Sequence, residues 1–459
     1  MATILEFKKT HGGATAPEFR SIPDVVREHA RTRPDSIAVV CDGEAIDYAR
    51  LSATMDRVTA TLQGEGVSKG SVVAICAPSS IAYLTAFLGA LQAGAAVAPL
   101  PAHVPKDQLV AILEDCQATH LFLDSARNRT ISAMSAGIKR IALDSSLANP
   151  GFNTWLACDA SIPRSVDIGP KDAFNIVYSS GTASFPQGVI QSHGMRWAQS
   201  AAGAEFDFTE SAVTLCATPL EHNITLVSVF AALVGGGKIV LMPRFDARGY
   251  LELAHKHRAT HTMLMPGQYQ RIVEMPIFTA YDLSSFRQKF SISGPISAAL
   301  KKQLMERWPG GLVEYYGTAE GGGVCMLDAP SYPDKLHTVG KAAPGSDIRV
   351  VDQYGEEVPP GNTGEIVGRS AEMMTGYLNR SIQPSEVWWH DKVGRPFIRT
   401  GDIGQLDSDG FLTLVDRRKG AIAAGAAARD TLDSSGNGAT RSRRAKVHGR
   451  RKKQLLYQY

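Results

Sequence analysis

Cysteine is scarce in this sequence: there are six (Cys41, Cys76, Cys116, Cys158, Cys216, Cys325), at least 35 positions apart, with no C-x-x-C pair and no histidine at zinc-site spacing beside them. That excludes a disulfide framework and a structural zinc site, and predicts reduced, mostly buried thiols. Long hydrophobic runs are missing too. No stretch of 18 apolar residues is free of polar interruption, which argues against a membrane-spanning helix. The N-terminal MATILEFKKTHGG has no long apolar core followed by a small-residue cleavage site, so a cytoplasmic chain without stable membrane insertion is expected. Positive charge is short everywhere except at one end. Residues 421–459 hold nine Lys or Arg against Asp430 and Asp433, and since the whole chain is only +3, the first 420 residues are net acidic. No nucleic-acid partner is expected for them.

What is present is the balance of a globular enzyme: 44% apolar and 20% charged residues, with frequent glycine and proline. A chain of 459 residues admits roughly two to four compact units. Between Ile37 and Leu100, short β-rich runs (IAVVC, VVAICA, AVAPL) alternate with helical stretches. After Asp47, the residues Leu51, Met55, Val58 and Leu62 recur at intervals of four and three, which turns one apolar stripe of a helix toward a sheet. The alternation continues through LFLD (121–124), NIVY (175–178), VTLCA (213–217), KIVLM (238–242), HTMLM (261–265) and KFSIS (289–293), with amphipathic LVSVFAALV and ALKKQLMERW between strands. Such βα repetition predicts parallel sheets flanked by helices, and two sheets rather than one, because so many strands seldom stay in a single open sheet.

From about residue 335 the texture changes to short strands between turn residues: DIRVVD, EIVGRS, and IGQLDSDGFLTLV as a hairpin around DSDG. Beyond Lys419 it changes again, to a proline-free basic tail with little apolar periodicity, expected to be mostly disordered. The expected organisation is a large region over 1–414, made of α/β subdomains at about 20–170 and 171–335 and a β subdomain at 336–414, followed by a connector at 415–420 and the tail at 421–459.

Three stretches carry candidate chemistry. In YSSGTASFPQGVIQSH (178–193), small hydroxyl and glycine residues follow a probable buried strand, where open α/β sheets place ligands and where backbone N–H groups can face an anion. No G-K-S/T follows at the required spacing, so it is not a Walker loop, and an ordinary strand-ending turn is an equal reading. In EYYGTAEGGG (314–323), Glu320 offers a hard oxygen suited to a phosphate-bound Mg²⁺, against the plain alternative of a solvated loop carboxylate. In FIRTGDIGQLDSDGFLTLVDRRKG (397–420), Asp402 could accept from ribose hydroxyls or simply cap a turn. Two further features read as structural. The histidines His255, His257 and His261 straddle a helix end and a strand with no carboxylate or cysteine to complete a ligand set, and Gly235–Gly237 form a helix-to-strand turn.

Taken in order, YSSGT…P.GV..SH, PLEHN, YGTAE and RTGD…DG.L.LVDR.K resemble the adenylate-forming superfamily of acyl-CoA synthetases, peptide-synthetase adenylation domains and firefly luciferase, from about residue 20 to 419. SGPIS (293–297), VGKAAPG (339–345) and PPGNTGEI (359–366) add to the likeness. The resemblance implies an α/β fold of two flavodoxin-like βα-layered subdomains plus a small β-barrel-like subdomain. It implies chemistry in which a carboxylic acid is joined to AMP with release of pyrophosphate and then passed to a thiol, usually coenzyme A. By this resemblance Ser179, Ser180, Gly181 and Thr182 wrap phosphates, with Thr182, His222 and Glu320 catalytic. Glu320 holds Mg²⁺, Ser293, Gly294 and Pro295 line adenine opposite Tyr316, and Tyr315, Gly317 and Thr318 belong to the nucleotide loop. Asp402 and Arg417 serve the ribose or phosphate. His222, Phe208 and Gly317 line the acid pocket, and Lys419 falls at the hinge of the family's small C-terminal domain.

The departures from the family pattern are as specific. Ala183 replaces a hydroxyl, Ser184 a glycine and Gln187 a cationic lysine, while Ala319 stands at a threonine position and Glu221 where an aromatic is common. Loss of a cation and hydroxyls beside a polyanion weakens its binding. After Gly420 the text no longer follows the family, so the C-terminal α+β domain is expected to be absent. The leading expectation is an ATP-dependent acid:CoA ligase for a long-chain fatty or aryl acid, using ATP, Mg²⁺ and coenzyme A, with impaired turnover and a homodimer left open. The alternative is a non-catalytic nucleotide- or acyl-adenylate-binding protein.

Overall fold

The helix expected after Asp47 begins there: the Asp47 carboxylate caps it by accepting from Arg50 N–H at 2.7 Å, and Leu51, Met55, Val58 and Leu62 are fully buried. The protein is represented by a computed structural model that describes residues 18–130, 137–144, 151–159, 161–179, 187–371, 373–379 and 387–417. Its helices are α1 (Ile22–Thr32), α2 (Tyr48–Gly64), α3 (Ile81–Gln92), α4 (Lys106–Asp115), α5 (Ser125–Thr130), α6 (Phe152–Trp155), α7 (His193–Ala201), α8 (Asn223–Gly235), α9 (Ala247–His257), α10 (Pro266–Val273) and α11 (Ala298–Arg307).

The strands are β1 (Ile37–Cys41), β2 (Glu44–Asp47), β3 (Val72–Cys76), β4 (Ala96–Pro99), β5 (His120–Leu123), β6 (Lys139–Ala142), β7 (Ala173–Ser179), β8 (Gln187–Ser192), β9 (Val213–Cys216), β10 (Lys238–Leu241), β11 (His261–Leu264), β12 (Gln288–Ser291), β13 (Gly311–Tyr316), β14 (Cys325–Asp328), β15 (Lys341–Ala342), β16 (Asp347–Val351), β17 (Gly364–Arg369), β18 (Gly376–Tyr377), β19 (Trp388–His390), β20 (Pro396–Leu406) and β21 (Leu412–Arg417). A nine-stranded sheet runs β15-β14-β13-β12-β11-β9-β10-β1-β2, parallel from β13 to β1 with antiparallel edges. A seven-stranded sheet runs β18-β8-β7-β4-β3-β5-β6, parallel from β7 to β6. The third sheet, β16-β17-β20-β19 with β21 on β20, is antiparallel throughout. Sheet membership interleaves along the chain: β1 pairs with β10, 200 residues later, and carries β2 on its outer edge, so the sheets do not follow the division near residue 171 expected from texture.

One hydrophobic core joins the two large sheets. LVSVFAALV, read as amphipathic, lies in α8 and is buried on almost every side, because α8 and α3 occupy the layer between the sheets. Phe87 of α3, Phe230 of α8 and Phe174 of β7 meet there with ring centroids 5.1–5.9 Å apart. Gly89 lets α3 lie against α2, since a Cβ at that position would stand 2.4 Å from Val58 Cγ1. Five of the six thiols are buried and Cys158 is exposed. No helix among the described residues is long and apolar enough to cross a membrane.

Candidate active site

The motif loops gather because of strand order. The chain passes from β9 to β10 on one side and then crosses to β11 on the other, and at such a reversal the carboxyl ends of parallel strands open a crevice. Three candidate segments leave that edge of the same sheet: His222 follows β9, and, beyond β11, Ser293–Pro295 follow β12 and Gly317–Glu320 follow β13. The carboxyl edge of the other sheet is tied to the same place, where Leu220 N–H donates to Ser79 Oγ at 2.8 Å just beyond β3.

Glu320 is buried, with its Oε1 accepting from the Tyr377 hydroxyl at 2.8 Å, and its carbonyl accepts Met374 N–H at 2.7 Å. Burial, then the Glu320 charge, pushes the Tyr377 hydroxyl pKa up, so Tyr377 stays a donor. Two residues before Glu320, the Thr318 Oγ1 is buried without a hydrogen-bond partner. A buried carboxylate with an unpartnered hydroxyl two residues before it offers the donor chemistry of a hard cation that completes its shell with phosphate oxygens, which needs only one or two protein ligands. Among the described residues no cluster of three or more His, Cys, Asp or Glu forms a self-sufficient metal cage.

The Tyr316 hydroxyl donates to Asp402 Oδ2 at 2.9 Å, fastening β13 to β20, and Asp402 and Arg417 are cross-strand partners in the β20/β21 hairpin. The Tyr316 ring is largely enclosed among Cys325, Val339, Ile348, Ile366 and Leu412. On the opposite face of β13, Tyr315 packs against Phe206 and Phe290, with centroids 6.3 and 6.0 Å away. Phe208 lies deeper than the acid-pocket expectation suggests: it is buried, 4.4 Å from His261 and stacked on Phe290 at 5.9 Å. Gly317 is exposed at the rim.

His222 is the N-cap of α8 and its side chain is exposed, yet the dense protein around the imidazole holds its pKa below the ordinary value, the combination expected on the wall of a concave opening. It is therefore neutral at pH 7. Its neighbour Glu221 has a buried Oε2 without a partner and a carboxyl pushed up by burial to about 7. Ser293 ends the expected strand KFSIS early, because its φ of 71° is left-handed and breaks the extended run after Ser291. The segment beyond it is pinned from beneath: Ile296 N–H donates to Glu314 Oε1 at 2.9 Å, and Glu314 pairs with Lys301, both wholly buried.

Ser179 closes β7, while Ser180, Gly181, Thr182, Ala183, Ser184, Lys419, expected at a hinge, and the basic tail lie outside the described residues. Gln187 opens β8, buried, with Oε1 unpartnered. The Ala319 methyl packs with Val189, Met374, Val387 and Ile398. Sequence reasoning missed Tyr377, whose two-residue strand leaves no periodicity to detect, and it missed the buried polar residues Arg196, Gln191 and Asn175 in a stretch otherwise read as strand and helix.

Residues 26–378 match the profile of a family described as AMP-binding enzyme. The chain is 32% identical over 405 residues to the feruloyl-CoA synthase of an Amycolatopsis species, covering 86% of this chain and 78% of that one. It is 28% identical to the indoleacetate–CoA ligase of Aromatoleum aromaticum, over 87% of this chain and 79% of that one. Among solved structures, the N-terminal domain of FACL13 from Mycobacterium tuberculosis superposes with a TM-score of 0.77 at 25% identity, covering 87% of this chain and 100% of that domain.

Proposed function

Because the chain belongs to the AMP-binding enzyme family, with acid–CoA ligases among its relatives, we propose that it joins an aryl carboxylic acid to AMP and passes the acyl group to coenzyme A. In the first step a carboxylate oxygen attacks the α-phosphorus of ATP and pyrophosphate leaves; in the second, a thiol attacks the acyl carbon and AMP leaves. A carboxylate is a poor electrophile until its oxygen becomes part of a good leaving group, so the site's work is to hold crowded negative charge. Asp402 would bind the ribose hydroxyls and Tyr316, held by Asp402, would set the nucleotide loop. Neutral His222 can donate one N–H to the acid's carboxylate at the wall of the opening. Glu320, beside the Thr318 hydroxyl, would hold the Mg²⁺ that accompanies ATP, and that ion supplies charge neutralisation at the phosphates. A cytoplasmic location follows the same reading.

The aryl assignment is supported by relatives that are a feruloyl-CoA synthase and an indoleacetate–CoA ligase, and by the ring cluster of Phe206, Phe290 and Tyr315, packed within 6.3 Å of one another. Flat faces and edges suit another ring. The test is ATP–pyrophosphate exchange with ferulate, 4-coumarate and indoleacetate against decanoate and hexadecanoate. Aryl acids should give the higher kcat/KM; exchange with the alkyl acids alone would contradict the assignment.

Ala319 and Gln187 favour a second reading, a non-catalytic nucleotide or acyl-adenylate binder. An apolar methyl stands where a hydroxyl is expected, and a neutral amide where a cation is expected. ATP binding in a calorimeter without exchange for any acid would select that reading.

A further inference from the structure

Arg196, on α7, is a fully enclosed guanidinium whose hydrogen-bond partners are all neutral amides. Nε donates to Asn175 Oδ1 at 3.1 Å, Nη1 to Gln199 Oε1 at 3.1 Å, and Nη2 to both Gln191 Oε1 and Asn223 Oδ1. The face of Phe174 lies 6.0 Å away. Among the described residues no carboxylate answers this charge, and burial pulls its pKa down to about 9. An apolar side chain of similar volume would ordinarily be no worse for stability than a cation buried in this way.

The placement of its partners says what the charge is for. Asn175 and Gln191 sit on β7 and β8, the two strands that flank the candidate phosphate loop. Asn223 is the first residue of α8, next to His222. With its oxygen turned to the guanidinium, the Gln191 amide must point its NH₂ the other way, and Nε2 donates to the Ala319 carbonyl at 2.7 Å, one residue before Glu320. A rigid planar fork with five donors can fix three elements at defined angles, which an ammonium cannot do.

We propose that Arg196 is a positioning residue for adenylation: through Asn223 and through Gln191 it sets His222 and Glu320 relative to each other across the opening. The inference rests on the ligase reading above. It is tested with Arg196→Lys, which keeps the charge and loses the fork, and with Gln191→Leu, which removes both an acceptor of the guanidinium and the link to Ala319 while keeping Arg196 itself and its bond to Asn223. In acid-dependent pyrophosphate exchange each variant should lower kcat about tenfold or more with KM for ATP changed less than about threefold, and the double variant should fall no further than the worse single one. Unchanged kcat with a lowered Tm would assign Arg196 a purely structural role and overturn the proposal. If Arg196→Lys does not fold, Gln191→Leu carries the test alone. If the wild-type chain exchanges no pyrophosphate, the ligase reading fails by itself, and the positioning claim is then read from the His222 ring resonances, assigned with His222→Gln. Those resonances should move in Gln191→Leu, a residue remote from His222 in sequence; no movement overturns the proposal.

Discussion

Tyr316 and Asp402 come from strands more than eighty residues apart and meet through one hydrogen bond of 2.9 Å. A carboxylate already oriented by a phenol is ready to accept from two vicinal hydroxyls. Asp402→Asn keeps the shape but removes the charge, and hydrogen bonds to charged groups contribute roughly 1.5–3 kcal/mol, so KM for ATP should rise by about ten- to a hundredfold with a smaller change in kcat; steady-state kinetics at varied ATP checks it. These residues were legible because YGTAE and RTGD, taken in order with the other motifs, resemble those of a known family, although both residues lie in strands and neither stretch alone told more than a turn. Tyr377, Gln191 and Arg196 were not, since a tyrosine after a glycine or an arginine in a helix carries no sign of what it will touch. The residues whose identity defies their surroundings, polar side chains at wholly buried positions, became visible only when burial was known.

At the scale of elements, β13 and α11 are joined through the buried Lys301–Glu314 pair, with Lys301 Nζ also donating to the Leu336 and Thr338 carbonyls at 2.7 and 2.8 Å. The pair holds the Ser293–Pro295 segment through Ile296. Removing one partner strands a buried charge, so Lys301→Met should cost about 3–5 kcal/mol, while the double change Lys301→Met with Glu314→Leu should recover most of that. Urea unfolding of the single and double variants measures the difference. The parallel strands were readable as apolar runs because both of their faces are buried, and the connecting helices by their apolar spacing. The short antiparallel strands β2, β14, β15 and β18 were not, because two to four residues with mixed polarity hold no pattern, and β18 in addition pairs with β8, nearly two hundred residues earlier.

Over the whole molecule, the two large sheets and the helices between them share one core, so titratable groups buried in it register in stability. His193, at the start of α7, and His261, whose Nε2–H donates to the Phe206 carbonyl at 2.7 Å, are both buried, and burial holds each pKa down to about 4. The unfolded chain binds these protons near pH 6.5 and the folded chain only near 4, so stability is full above about 6.5 and declines as the pH falls toward 4, by up to roughly 3 kcal/mol for each histidine. Denaturant midpoints at pH 7 and pH 5 should differ in that direction, and His261→Gln should flatten the slope. The layered α/β class with its separate antiparallel sheet was legible from the order of βα units and the change of texture near residue 335. The interleaving of β1 and β2 into the sheet built mainly from residues 213–342 was not, because nothing local in IAVVC names β10 as its neighbour. The central claim is that this assembly activates a carboxylic acid as an adenylate, and mass spectrometry of the chain incubated with ATP, Mg²⁺ and ferulate tests it most directly. Feruloyl-AMP should accumulate with the wild type and fall by about a hundredfold or more in Glu320→Gln; recovery of only unreacted ATP and ferulate from the wild type would contradict the account.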